Sequence, residues 1–247
     1  MAEPLGRRAL AEFIGTAFLV MAVIGSGIAA SRLSPGNVGL ELFENAVATG
    51  AALVAIIIAV GPVSGAHLNP LITLIDRVFG GVSSRDAAAY AVAQIAGGVA
   101  GAMIANLMFG LPAVQISTHV RSGSGLWLGE AVATLGLAIV VFGAVRSGRP
   151  GVAPFAVGAY IAAAYFFTSS TSFANPAVTI SRMFSNTFAG IAPSSVPGFV
   201  VFEFLGAVIA VGAIRVLYPD ISRVARRVIV PQESSEAPSA RAQVVED

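Results

Sequence analysis

A few polar residues interrupt the long apolar runs of this chain, and their types limit the chemistry available. Asn-Pro occurs twice, as Asn69-Pro70-Leu71 in AHLNPLITL and as Asn175-Pro176-Ala177 in SFANPAVTISRMF. Asparagine is a favoured N-cap and proline a favoured first helical residue, so each pair reads as the start of a helix. The carboxamide then caps with its oxygen and keeps two N–H donors. Glu12, Gln94, Glu130 and Glu203 lie inside apolar stretches, where a carboxylate is a functional candidate by default. Covalent chemistry has no support. There is no cysteine, the two histidines are far apart in sequence, and neither a nucleophile–base pair nor HExxH-like spacing occurs. No metal site and no cofactor are expected. What remains is hydrogen bonding.

The elements that position these groups follow from composition. Apolar residues make up 56% of the 247, mean hydropathy is +0.83, and only 11% are charged, which does not suit a soluble domain. Six runs, at 9–30, 40–61, 86–108, 126–146, 152–171 and 196–217, meet or approach the ~20 residues needed to span a bilayer. All 14 basic residues are arginine. Six spans put only Arg32, Arg121 and Arg182 on one side and the rest on the other, so the positive-inside bias predicts cytoplasmic termini in an inner (plasma) membrane. A net charge of +1 argues against a nucleic-acid partner. Residues 1–218 are read as one membrane domain and 219–247 as a cytoplasmic, disordered polar tail.

The chain repeats internally. AEFIGTAFL, SGAHLNPLITL and AQIAGGVAGA are followed, in the same order, by GEAVATLGL, TSFANPAVTI and FEFLGAVIAV. The halves, about 9–110 and 125–217, contain three spans each, and an odd number forces the second copy to enter from the opposite side. The Asn-Pro segments are too short to cross. Helices at 70–78 and 176–185 would extend roughly 13–15 Å, half of the ~30 Å hydrocarbon core, and meet by their N-termini at the midplane. Irregular backbone at that depth is tolerated only inside protein or beside a water-filled cavity.

These motifs, in this order and at these separations, resemble the aquaporins, or major intrinsic proteins, from Ala9 to about Leu217. The resemblance implies an all-α membrane fold of six spans plus two re-entrant half-helices, a homotetramer with a channel in each protomer, and passage of water and small neutral solutes. It also implies that Asn69 and Asn175, with Pro70, Leu71, Pro176 and Ala177, form the pore midplane, and that the carbonyls of Gly65, Ala66, His67 and Leu68 and of Ser172, Phe173 and Ala174 line the track. Glu12 and Glu130 would hold the two loops, with Gln94 and Glu203 assisting. The His67 ring would bond inside its loop.

Family selectivity is set at four positions, which ungapped counting from the motif asparagines places at Thr49, Ala163, Ser172 and Val178; a two-residue shift would put Tyr165 in place of Ala163 and close the ring again. The usual arginine is absent at 178, and Thr179 stands where glycerol-conducting members carry Asp. A wide ring without that fixed charge suits neutral polyols such as glycerol. Its resemblance to metalloid-linked bacterial members of the family implies undissociated arsenite, a neutral triol, as a further cargo. The first motif is NPL, and Leu71 is expected to pack behind its half-helix. Arg182 is read as a cation suited to the far end of the second half-helix, distinct from the missing filter arginine. Gly97 with Gly101, and Gly206 with Ala210, have the spacing of close helix packing. An ion-coupled transporter is the alternative, yet the only Asp in the six runs is Asp86, at the very start of the third, which leaves no Asp within a span to build a coupling site.

Overall fold

The computed structural model describes residues 3–146 and 150–221. Among these residues there are helices and no strands: α1 (Leu5–Leu33), α2 (Val38–Ser64), α3 (Pro70–Phe79), α4 (Ser84–Met108), α5 (Ser124–Arg146), α6 (Ala153–Phe167), α7 (Pro176–Ser181) and α8 (Val196–Leu217). Five are long and apolar enough to cross a membrane, and α6 is an apolar helix of 15 residues. The expected span 152–171 is therefore shortened. Its last residues leave the helix at Thr168 and descend as the extended segment before the second Asn-Pro. The half-helix expected at 176–185 is also shorter, ending at Ser181 and followed by one 3-10 turn, Arg182–Phe184. The tail assigned to 219–247 lies outside the described residues beyond Ile221.

Local signals set the boundaries. Asn37 and Ser83 cap α2 and α4 by accepting from the backbone N–H groups of Leu40 and Asp86. Asn69 and Asn175 do the same for the two short helices, each with proline in the first turn.

The packing carries the internal repeat. A Cβ at Gly97 would lie 2.2 Å from the Phe13 carbonyl oxygen and one at Gly101 would lie 2.3 Å from that of Ala17, so α1 and α4 touch backbone to backbone. In the second half a Cβ at Gly206 would lie 2.3 Å from the Ala131 carbonyl oxygen, joining α5 to α8 in the same way. Gly50 and Gly158 pack reciprocally where α2 crosses α6, each with its missing Cβ inside 3 Å of the other's carbonyl oxygen. Small residues let helix backbones approach where lipid supplies no hydrophobic drive. The chain ends share one face: Arg8 of α1 pairs with Asp86 at the start of α4, and Tyr218 after α8 packs at Gly143 near the end of α5. The segment 109–123 and the turns after α7 form the opposite, far face, where backbone bonds run from Gln115 to Phe184 and from Ser117 to Met183.

Candidate functional site

The two short helices begin beside each other in the centre of the molecule. Asn69 Oδ1 accepts from the Leu71 N–H at 2.9 Å, and Asn175 Oδ1 accepts from Ala177 N at 3.0 Å and Val178 N at 3.4 Å. The amide nitrogens cross over: Asn69 Nδ2 donates to the Ala174 carbonyl at 2.8 Å, and Asn175 Nδ2 donates to the Leu68 carbonyl at 2.7 Å. Each carboxamide therefore uses its oxygen for its own helix and one N–H for the opposite loop. One N–H per asparagine is left, and both side chains border the same cavity.

The extended segments that lead to the asparagines need outside support. Ala66 and Leu68 in the first, and Thr171, Ser172 and Ala174 in the second, all have φ between 48° and 66°. For non-glycine residues this costs on the order of 1–3 kcal/mol each unless the surroundings impose it. Two buried carboxylates impose it. Glu12 accepts from His67 N (3.0 Å), Leu68 N (2.6 Å), the Ser64 hydroxyl and the Gln94 amide, and Glu130 accepts from Phe173 N (2.9 Å) and Ala174 N (2.7 Å). Glu203 accepts from Asn175 N and the Thr179 hydroxyl. The His67 ring bonds Thr73 Oγ1 through Nδ1 and sits 3.6 Å from Asp76 through Nε2, inside the first re-entrant element.

The cavity offers about 60 Å³ to water centres, enough for several waters at the ~10–15 Å³ each requires. Of the residues singled out by sequence, Ala66, His67, Leu68, Asn69, Phe173 and Asn175 border it. Thr49, Ser172 and Val178 border it as well, so three of the four constriction positions come together. Gly65, Pro70, Leu71, Ala174, Pro176 and Ala177 stand behind this lining, as do Glu12 and Glu130. Leu71 packs in the hydrophobic core, 4% exposed. Ala163 is corrected: it is exposed on the outside of α6, because ungapped counting ignores the early end of that helix. Tyr165, two residues on, is buried against the cavity, and its hydroxyl lies 3.2 Å from Thr49 Oγ1.

Two features escaped the sequence reading. The first is the apolar wall, where Leu19, Leu53, Ile57, Leu137, Val141 and Val157 face the polar loops. Nothing in single-sequence periodicity separates a pore-facing leucine from one in the core. The second is Arg182, which is 2% exposed and borders the cavity instead of merely ending the half-helix. Arg121 lies nearby on the far face, with Nε donating to the Gly190 carbonyl and Nη2 to that of Phe188. Burial pulls its guanidinium down from the ordinary value, while Glu130 and Tyr165 pull the other way.

Five helices long and apolar enough to cross a membrane and the shorter apolar α6, with two half-helices meeting over a narrow polar-and-apolar cavity, define a membrane channel. The model of the family described as "Major intrinsic protein" matches residues 3–172. The chain belongs to that family. It is 50% identical over 211 residues to the aquaglyceroporin AqpS of Rhizobium meliloti (strain 1021), covering 85% of this chain and 90% of that relative. It is 29% identical over 266 aligned positions to the lens fiber major intrinsic protein of Ovis aries, covering 97% and 94% of the two chains. Among solved structures, the aquaglyceroporin from Plasmodium falciparum superposes with a TM-score of 0.68 at 18% identity, over 89% of this chain and all of the other, a likeness of fold.

Proposed function

We propose that the protein passes water and small neutral hydroxylated solutes, glycerol-like polyols or undissociated arsenite, passively through the cavity between its two half-helices. The observation that carries this is the pair of asparagine N–H donors left over at the midplane, facing an apolar wall. A neutral hydroxyl exchanges bulk hydrogen bonds for these donors and for the carbonyls of the flanking segments. An ion would lose its hydration without an equivalent return. Toward the far face Thr49, Tyr165 and Ser172 supply hydroxyls that a polyol can bond, beside an uncharged Val178. The name of the 50% identical relative supports a solute range that includes glycerol.

In this reading four copies assemble side by side in the plasma membrane, each with its own pore. Both chain ends face the cytoplasm, since among the described residues the far face carries only Arg32, Arg121 and Arg182. Stopped-flow light scattering on proteoliposomes tests the transport claim. Glycerol flux should rise linearly with the gradient and be indifferent to Na⁺ and H⁺. Saturation at modest concentration together with ion dependence would instead assign a coupled transporter.

A further inference from the structure

We propose that Arg182 replaces the filter arginine that position 178 lacks, acting from one helical turn further along as the cation-excluding, solute-binding group at the far end of the pore. The proposal rests on the channel reading above and deepens it. Arg182 donates its backbone N–H to the Val178 carbonyl, so the two residues stand one turn apart on one face. Helical side chains lean toward the N-terminus, which aims the arginine stem at the turn that contains Val178. A valine there leaves the space that a second long side chain would fill.

The guanidinium is held and yet unspent. Its Nε donates to the Ala189 carbonyl, and its central carbon sits 3.4 Å from the centroid of the Phe173 ring. Among the described residues, its terminal nitrogens have neither a hydrogen-bond partner nor an ion pair, although the residue is 2% exposed. A guanidinium has five N–H donors, so most of its capacity is free. Buried charge without partners is costly. Arg182 borders both the central cavity and an adjoining far-face vestibule of about 190 Å³, so its missing partners are whatever occupies those spaces: water, or the hydroxyls of a permeating solute.

Arg121 borders the same space. Its guanidinium lies 5.4 Å from the centroid of the same Phe173 ring and is tied to two backbone carbonyls. The mouth of the pore thus carries two cations with no carboxylate in ion-pair contact among the described residues, an arrangement that repels a third cation and attracts oxygen atoms.

Urea and guanidinium, planar and of nearly equal size, differ chiefly in charge and serve as the probe pair. In proteoliposomes of the full chain, wild type should pass urea and glycerol and exclude guanidinium. Arg182→Met, checked for assembly by size-exclusion chromatography, should raise the guanidinium-to-urea permeability ratio at least tenfold, and adding Val178→Arg to that variant should bring the ratio back down. An assembled Arg182→Met protein with an unchanged ratio overturns the proposal. If Arg182→Met does not assemble, wild type decides: guanidinium passing at a rate comparable to urea overturns it, and exclusion that Val178→Arg alone does not tighten supports it. Absence of urea and glycerol flux in every form is a different result, which removes the channel reading itself.

Discussion

At the scale of single residues, the half-helices depend on acceptors buried in the spans. Glu12 closes off two loop N–H groups, a hydroxyl and an amide at once, so Glu12→Leu should leave buried donors without partners and destabilise the protein by about 3 kcal/mol or more. Thermal unfolding in detergent would check this, with Glu12→Gln intermediate because it retains one acceptor oxygen. In the proposed reading Val178 acts on cargo more than on stability. Val178→Arg adds a guanidinium beside one already bordering the cavity, so it should lower glycerol permeability by roughly tenfold, an added barrier of ~1.4 kcal/mol, while water falls less. Parallel glycerol and osmotic water measurements on the same vesicles give the comparison.

At the scale of elements, the two halves are stitched by glycines at equivalent crossings. Gly97→Val would drive a side chain into the Phe13 carbonyl, and Gly206→Val into that of Ala131. Each should destabilise by at least ~1–3 kcal/mol, the usual cost of overpacking, whereas Gly6→Ala, with open space around it, should be neutral or better. Melting temperatures of the three variants test the ordering. These elements were legible in sequence because their signals are local: Asn-Pro marks a helix start, Gly-xxx-Gly marks a contact, and a repeated Glu marks each half. The end of α6 was not. TSSTSFAN contains no Gly or Pro to mark where the helix stops, so counting through it placed Ala163 where Tyr165 stands. Arg182 does stand at the end of the second half-helix as read, but the short helix and the turn after it also bring it to the cavity, which helical counting to 185 does not foresee.

At the scale of the whole molecule, inverted symmetry explains why two asparagines far apart in sequence, each bonded to the other's loop, meet beside the same cavity. The symmetry is incomplete around the cavity. Gln94 donates to Glu12 in the first half, whereas Glu203 stands at the matching place near Glu130, and the far face alone carries Arg121 and Arg182. A channel built this way has no moving coupling site, so solute flux should depend weakly on temperature and not at all on an ion gradient. The most direct measurement is stopped-flow swelling of proteoliposomes in an inward glycerol gradient, at several temperatures, with and without Na⁺ and a proton gradient. The account predicts protein-dependent glycerol entry that is linear in the gradient, nearly temperature-insensitive and unchanged by either ion. Entry that saturates and requires one of the ions, or no entry above protein-free vesicles, would contradict it.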